Sequence, residues 1–123
     1  MTPFGARVRQ LRRKQGVTLR AMAQDLRLSA AYLSALEHGR RSRPSTGLVQ
    51  QICAYFGLIW DDAEELQRLA RLSHPRVVVD TAGLSPAKTE LANLLAERIR
   101  TLPENDVAEA IGILNPRTKR ARN

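Results

Sequence analysis

The sequence predicts a mainly α-helical protein, and three observations lead to this prediction. Aromatic residues make up only 4% of the 123 residues, so a core must be built from Leu, Ala, Val and Ile. Apolar residues recur at helical spacing along most of the chain. Ser, Thr and Pro stand where helices would begin, and Gly stands where several would end. Strand-forming runs are few by comparison.

Five helices are predicted within residues 1–73. Thr2 and Pro3 open the first, which Gly16 ends, and its apolar residues recur at intervals of four and three. Thr18 is the predicted cap of the second helix and Ser29 that of the third. The fourth helix begins at Ser45 or Thr46 and ends at Gly57, and the fifth runs from about Trp60 to Leu72.

Residues 74–116 are predicted to form a dimerisation region. Its first part, 76–81, is expected to be a short β-strand because it contains Val77, Val78 and Val79. A lone strand needs a partner, and the same strand of a second subunit would supply one; an extended linker packed on the helices is the alternative. A helix over 85–102 follows, then a short helix over 104–114 and a basic tail, 117–123, expected to be disordered. The longer helix carries an apolar stripe formed by Leu91, Leu94, Leu95 and Ile99.

The positive charge is concentrated at the two ends of the chain. Residues 1–44 carry ten basic and two acidic side chains, a net charge of +8. Residues 45–116 have a net charge of −4, and residues 117–123 contribute +4. A basic excess clustered in this way favours a polyanionic partner, and nucleic acid is the one expected.

Several classes of protein are disfavoured by composition. Cys53 is the single cysteine, so no intrachain disulfide is expected, and its apolar helical surroundings indicate a core position. No apolar run is long enough to span a bilayer and no signal-peptide pattern opens the chain. His38 and His74 are the only histidines and neither belongs to a metal-ligand spacing, so neither a metal nor a cofactor nor enzymatic activity is expected. The setting expected is cytoplasmic and nucleoid-associated, in a bacterial, phage or mobile-element context.

The second and third predicted helices are joined by about three residues, which is typical of a helix-turn-helix. In that motif one helix crosses the phosphate backbone of double-stranded DNA and the next lies in the major groove. The third helix would therefore read base edges, through alanine contacts with thymine methyl groups and through hydroxyl hydrogen bonds. Its outward face is predicted to comprise Ser29, Ala30, Ala31, Tyr32, Ser34 and Ala35, with His38 at the far end.

Residues 4–72 resemble the Cro/cI-type helix-turn-helix regulators, also called the XRE family, whose DNA-binding domain has the five-helix lambda-repressor-like fold. The resemblance rests on Phe4-Gly5, Val8, Leu11-Arg12, Gly16-Val17-Thr18-Leu19, Met22-Ala23, Leu26, Leu28-Ser29, Tyr32-Leu33-Ser34, Leu36-Glu37-His38-Gly39-Arg40 and Arg43-Pro44-Ser45. It implies that Ala23 is small so that the second and third helices can approach. It also implies a largely buried ion pair between Arg12 and Glu37; the alternative is two solvated surface charges.

Two positions depart from the family pattern. Leu19 stands where the family usually has a phosphate-binding Gln, so Thr18 or Arg20 is expected to make that contact. Arg27 stands where the turn usually has Gly. Either Arg27 is left-handed at a cost of about 1 kcal/mol or the turn differs, and the side chain of Arg27 could reach a phosphate.

Direct readout by a helix so rich in Ala and Ser is expected to be limited. Arg40, Arg41 and Arg43, in the loop after the third helix, are expected to bind phosphates or a narrow minor groove. The resemblance implies a repressor. The valine strand and the apolar stripe of the following helix predict a homodimer, and two heads related in this way are expected to act on an inverted-repeat operator. An antitoxin, whose segment after residue 73 binds a toxin protein, is the alternative. That segment offers no obvious pocket, so a small-molecule effector is not expected.

Overall fold

The computed structural model describes residues 1–40 and 43–115. These residues form seven helices and no strand, so the prediction of a mainly α-helical fold is confirmed. The chain divides into two compact units, Met1–Val77 and the part from Val78 onward. The first unit, here called the head, contains α1 Pro3–Gln15, α2 Leu19–Asp25, α3 Ala30–Glu37, α4 Thr46–Phe56 and α5 Trp60–Arg71. The second contains α6 Pro86–Arg98 and α7 Glu104–Leu114.

Side-chain hydroxyl groups set the starts of four of the five helices of the head. Thr2, Thr18, Ser29 and Ser45 each accept a hydrogen bond from the backbone N–H three residues later, at 3.0–3.1 Å. Each therefore satisfies one of the N–H groups that a helix start leaves without an intrahelical acceptor. α5 differs, since Ile59 precedes it without a side-chain cap and Trp60 has a φ of +51°.

The core of the head lies among all five helices. α1 packs against α3 and α5, α2 packs against α3, and α4 packs against α5. Burial raises the pKa of the Cys53 thiol, and its predicted core position is confirmed. The buried apolar residues are Phe4, Val8, Leu11, Met22, Ala23, Leu33, Leu36, Leu48, Val49, Ile52, Cys53, Phe56, Leu66 and Ala70.

α1 and α3 come into backbone contact at Gly5. A Cβ added to Gly5 would lie 2.6 Å from the Cα of Glu37 and closer still to the carbonyl oxygen of Glu37. The backbone N–H of Thr2 also donates to that carbonyl oxygen at 3.2 Å. The start of α1 is therefore fixed against the end of α3, which supports the helix-turn-helix from behind.

Ser73, just after α5, links the end of the head to the start of α1. Its side chain is buried, accepts a hydrogen bond from the backbone N–H of Phe4 at 2.9 Å, and donates to the carbonyl oxygen of Leu69 at 2.6 Å. His74 and Pro75 continue along the head beside Thr2 and Gly39. This explains why the first unit extends to Val77, four residues beyond the end predicted from the sequence.

Beyond the five helices of the head, two features differ from the prediction. α6 ends at Arg98 and residues 99–101 form a turn, so the predicted helical end at 102 is wrong. Pro103 disfavours the helical conformation for the residue before it, and the helix stops short of that residue. The predicted strand over 76–81 is not confirmed, since these residues form no ladder within the chain; a strand paired only across two subunits would form none in a single chain. α7, over Glu104–Leu114, matches the prediction.

Neither α6 nor α7 has a buried residue. The valines at 77–79 and the leucines of α6 are exposed instead, with Val78 92% exposed and Leu91 61% exposed. The basic tail, 117–123, lies outside the described residues. Within the described ranges, no helix combines the length and the apolarity needed to cross a membrane.

Candidate nucleic-acid interface

α2 and α3 are joined by residues 26–29, and this turn is held by the backbone. The N–H of Leu28 donates to the carbonyl oxygen of Ala23 at 2.8 Å, and the N–H of Arg27 donates to that of Gln24 at 3.1 Å. Leu26 and Leu28 are partly buried against the core of the head. The turn therefore fixes α3 relative to α2 through buried side chains and closed hydrogen bonds.

Arg27 has a φ of +59°, the left-handed conformation that glycine adopts without strain. Of the two possibilities drawn from the sequence, the structure has the left-handed one. The conformation costs about 1–2 kcal/mol for a residue with a Cβ. It leaves the guanidinium exposed at the junction of the two helices, where a glycine would present no side chain.

The N-terminal half of α3 has a mixed environment. Ser29 and Ala31 are exposed, whereas Ala30 and Tyr32 are partly buried and pack against the core. The hydroxyl oxygen of Ser29 is already the acceptor of the helix cap, from Tyr32 N–H at 3.0 Å. Ser29 therefore retains its hydroxyl proton for donation to an outside acceptor.

Further along α3, Ser34 and Ala35 are half-buried. His38 is exposed, and its Nδ1 lies 2.8 Å from the carbonyl oxygen of Ser34. A hydrogen bond there requires Nδ1 to carry a proton. The exposed polar groups along the predicted reading face are therefore few, and Ala31 is its most prominent apolar residue.

An ion pair lies behind this helix. Arg12 Nε is 3.2 Å from Glu37 Oε2 and Arg12 Nη2 is 3.1 Å from Glu37 Oε1, so the guanidinium and the carboxylate meet through two parallel hydrogen bonds. The side chain of Glu37 is 1% exposed and that of Arg12 is 11% exposed. The pair joins α1 to the last residue of α3, and each charge is balanced where water is largely excluded.

Exposed arginines lie at three places along the chain before and after α3. Arg20 on α2, Arg27 in the turn and Arg40 and Arg43 after α3 are all exposed, and none forms an ion pair with another described residue. Arg41, also expected to bind DNA, lies outside the described residues. Thr18 is exposed, and its hydroxyl accepts the capping hydrogen bond from Ala21 N–H. These guanidinium groups are free to bind phosphate.

One supporting interaction was not anticipated from the sequence. The hydroxyl of Tyr55 on α4 donates to Asp25 Oδ2 at 2.8 Å, which ties α4 to the last residue of α2. Burial raises the pKa of the Tyr55 hydroxyl, and the hydrogen bond to Asp25 and the charge of that carboxylate act in the same direction. Thirty residues separate the two partners, and no local pattern links them.

No group of three or more His, Cys, Asp or Glu side chains able to hold a metal occurs among residues 1–40 and 43–115. The head presents one partly exposed face of α3, whose opposite face packs into the buried core.

A family model described as a helix-turn-helix domain matches residues 3–69, a little over half of the chain. The chain belongs to the helix-turn-helix domain family. Residues 3–69 are accordingly its helix-turn-helix DNA-binding domain, with α2 and α3 as the two helices that name the motif.

The helix-turn-helix protein is also similar to a curated protein of Bacillus subtilis (strain 168), an uncharacterized HTH-type transcriptional regulator, RghRB. The two are 33% identical over 54 residues, which is 44% of this chain and 39% of the relative. The matched part thus spans well under half the length of the relative. No solved structure matches the chain.

Proposed function

We propose that the protein is a sequence-specific regulator of transcription that binds double-stranded DNA as a homodimer and acts as a repressor on an inverted-repeat operator. α3 would lie in the major groove with Ala31 and Ser34 near base edges, and α2 would cross the phosphate backbone. Most of the affinity would come from Arg20, Arg27, Arg40 and Arg43.

The observation that carries this proposal is the arrangement around α3. The helix is exposed on one side and fixed on the other by the Arg12–Glu37 ion pair and by the close approach at Gly5. Four exposed arginines without ion pairs among the described residues lie on α2, in the turn before α3 and in the loop after it. A rigid helix with exposed cations beside it suits contacts with bases and phosphates respectively.

The homodimer is supported by the second unit. α6 and α7 bury no side chain, while Leu91, Leu94, Leu95 and Ile99 are each 43–61% exposed. Two copies could cover these side chains together, with or without antiparallel pairing of Val77–Val79. A fixed separation of two heads by one helical turn of DNA, about 34–36 Å, would then set the spacing of the operator half-sites.

The same exposed leucines would also suit the alternative in which this unit binds a toxin protein. The mass of the pure protein in solution distinguishes a homodimer from a unit that needs a different protein as its partner. A dimer that depends on Leu91 and Leu95 supports the proposal, and a monomer that dimerises only on DNA, or not at all, contradicts it.

DNA binding itself is tested by fluorescence anisotropy, with a duplex obtained by selection from random sequence. Arg40→Ala combined with Arg43→Ala should weaken binding to all sequences alike. It should also make the dependence of log K on log salt less steep, by about 0.9 for each phosphate that the protein no longer neutralises. Arg98→Ala combined with Arg100→Ala removes the same charge from the second unit and should change the slope much less. Equal slopes for the two double variants would show that the loop after α3 does not touch the backbone.

The reading role of α3 is tested separately. Ala31→Gln should change the selected sequence, because a glutamine amide prefers adenine where an alanine prefers the thymine methyl group. If the selected sequence stays the same, α3 is not the reading helix.

A further inference from the structure

A cavity of about 620 Å³ lies in the head between the start of α4 and the end of α5. This volume falls within the range that small-molecule sites occupy, about 300–1,000 Å³. The described residues that line the cavity all belong to the head, and none of them is a side chain of the predicted reading face.

The lining combines an apolar floor with a cationic rim. The floor consists of the buried residues Pro44, Val49 and Ala70. Arg43 and Arg71 stand at the rim with His74, and no carboxylate is among the described residues that line the cavity. Neither guanidinium forms an ion pair or a hydrogen bond with another described residue.

Hydrogen-bond donors complete the lining. The hydroxyl oxygen of Ser45 accepts from the backbone N–H of Leu48 at 3.1 Å, so its proton remains available for an outside acceptor. Thr46 supplies a second hydroxyl and Gln67 an amide. The rim is therefore built mainly of donors and positive charge, with an apolar surface beneath it.

We propose that this cavity binds a small phosphorylated molecule with an apolar body. Two guanidinium groups match a phosphate monoester, which carries about −1.5 to −2 charges at neutral pH, better than they match a single carboxylate. The planar fork of each guanidinium can hold two phosphate oxygens. The floor of Pro44, Val49 and Ala70 then covers the apolar part of the ligand. A regulator with this site would sense a metabolite in its head, without a separate effector domain.

The site shares Arg43 with the proposed DNA contacts, so the ligand and the DNA backbone would compete for that side chain. Binding of the ligand itself needs no DNA. A failed binding experiment would therefore leave the proposed DNA-binding function untouched, and failed DNA binding would leave this site untouched.

The experiment is an NMR titration of the full chain with phenyl phosphate, followed through the backbone amides of Val49 and Ala70. Benzoate, phenol and sodium chloride at matched ionic strength are titrated in parallel. Phenyl phosphate should give saturable shifts confined to the cavity, benzoate should bind more weakly, and phenol and chloride should leave the two amides unchanged. Shifts that spread over the surface, or that chloride reproduces, would overturn the proposal.

Arg71→Gln tests the rim without altering a proposed DNA contact. It should weaken phenyl phosphate binding at least about tenfold, the effect expected from loss of one hydrogen bond to a charged group. Arg13→Gln, an exposed arginine of α1 with the same change of charge, is the matched control and should bind as the wild type does. Both variants should keep the amide dispersion of the folded head. Equal affinities for the two variants would remove the cavity as the site.

A short DNA duplex is the last arm, because its backbone also supplies phosphates. Because Arg43 belongs to both proposed surfaces, Arg71 is the side chain that separates them. If Arg71→Gln weakens the duplex as much as it weakens phenyl phosphate, the cavity belongs to the DNA interface and a separate ligand site is excluded. If Arg71→Gln leaves the affinity for the duplex unchanged, the cavity is a ligand site of its own, as proposed.

Discussion

The two units of the chain are both helical, yet they hold their helices in different ways. In the head, fourteen apolar side chains are buried among five helices. In the second unit, α6 and α7 bury none, although both have good helical sequences. Most of the stability of a helix in a protein comes from packing of its apolar face. A favourable local sequence therefore predicts a helix, but it does not by itself produce a stable domain. The head is expected to fold alone, and the second unit is expected to need a partner surface.

The largest expected effect concerns the buried ion pair of the head. Arg12→Met leaves the carboxylate of Glu37 buried without a partner and should lower the free energy of unfolding by about 3–5 kcal/mol. The double variant Arg12→Met, Glu37→Met should lose much less than the sum of the two single variants. Urea denaturation of all four proteins gives the coupling. Strict additivity would mean that the two charges act independently, as solvated charges do.

The close approach of α1 and α3 is tested by Gly5→Ala. The new methyl group meets the backbone of Glu37, which cannot move as a side chain does, so the head should lose about 3 kcal/mol or more. Gly47→Ala is the matched control, since a Cβ at Gly47 meets nothing within 4 Å. That substitution should stabilise α4 by up to about 1 kcal/mol. Thermal unfolding should give a much lower melting temperature for Gly5→Ala than for Gly47→Ala. Similar melting temperatures for the two variants would show that α1 and α3 do not approach closely at Gly5.

A smaller loss of unfolding free energy is expected when the hydrogen bond between Ser73 and Phe4 is removed. Ser73→Ala leaves the buried N–H of Phe4 without its acceptor and should cost about 1–3 kcal/mol. Hydrogen exchange at the Phe4 amide should accelerate with it. Ser85→Ala removes the cap of α6 in the second unit and should leave the unfolding of the head unchanged. If Ser85→Ala destabilised the head as much as Ser73→Ala, the two units would not be energetically separate.

The smallest effect on the head is expected from the leucines of the second unit. Leu91→Ala combined with Leu95→Ala removes side chains that are exposed in the single chain, so the unfolding free energy of the head should change by less than about 0.5 kcal/mol. The same substitutions should weaken the proposed homodimer, measured by analytical ultracentrifugation. A large loss of head stability would contradict the contrast between the units.

The positions of helix starts are predictable because capping is local. The hydroxyl groups of Thr18 and Ser29 each accept a hydrogen bond from the backbone N–H three residues later. The capping residue and its partner therefore lie within one helical turn of each other in the sequence. The end of α6 is not predicted correctly. The apolar stripe continues to Ile99 and so predicts further helix, whereas the structure ends α6 at Arg98. The valine run predicts a strand from propensity, but propensity does not provide the second strand that a ladder requires.

The supporting interactions of the candidate site depend on distant pairs. Phe4 and Ser73 are 69 residues apart. The two arginines that line the cavity are also distant in sequence, since Arg43 lies in the loop before α4 and Arg71 at the end of α5. No periodicity or motif connects such positions. The resemblance to a family supplies the pairing of Arg12 with Glu37 because that pairing belongs to a known motif. The cavity has no such motif, and only the folded head brings its rim together.

The hydrogen bond between Phe4 and Ser73 has a consequence for protein architecture. It places the two ends of the head side by side, 2.9 Å apart at that bond. Domains whose ends are adjacent tolerate circular permutation and insertion into other chains. We therefore expect the head to fold when it is inserted into a surface loop of a host protein through two short joints. A circular permutant whose new ends lie in another loop should likewise keep the packing of the five helices.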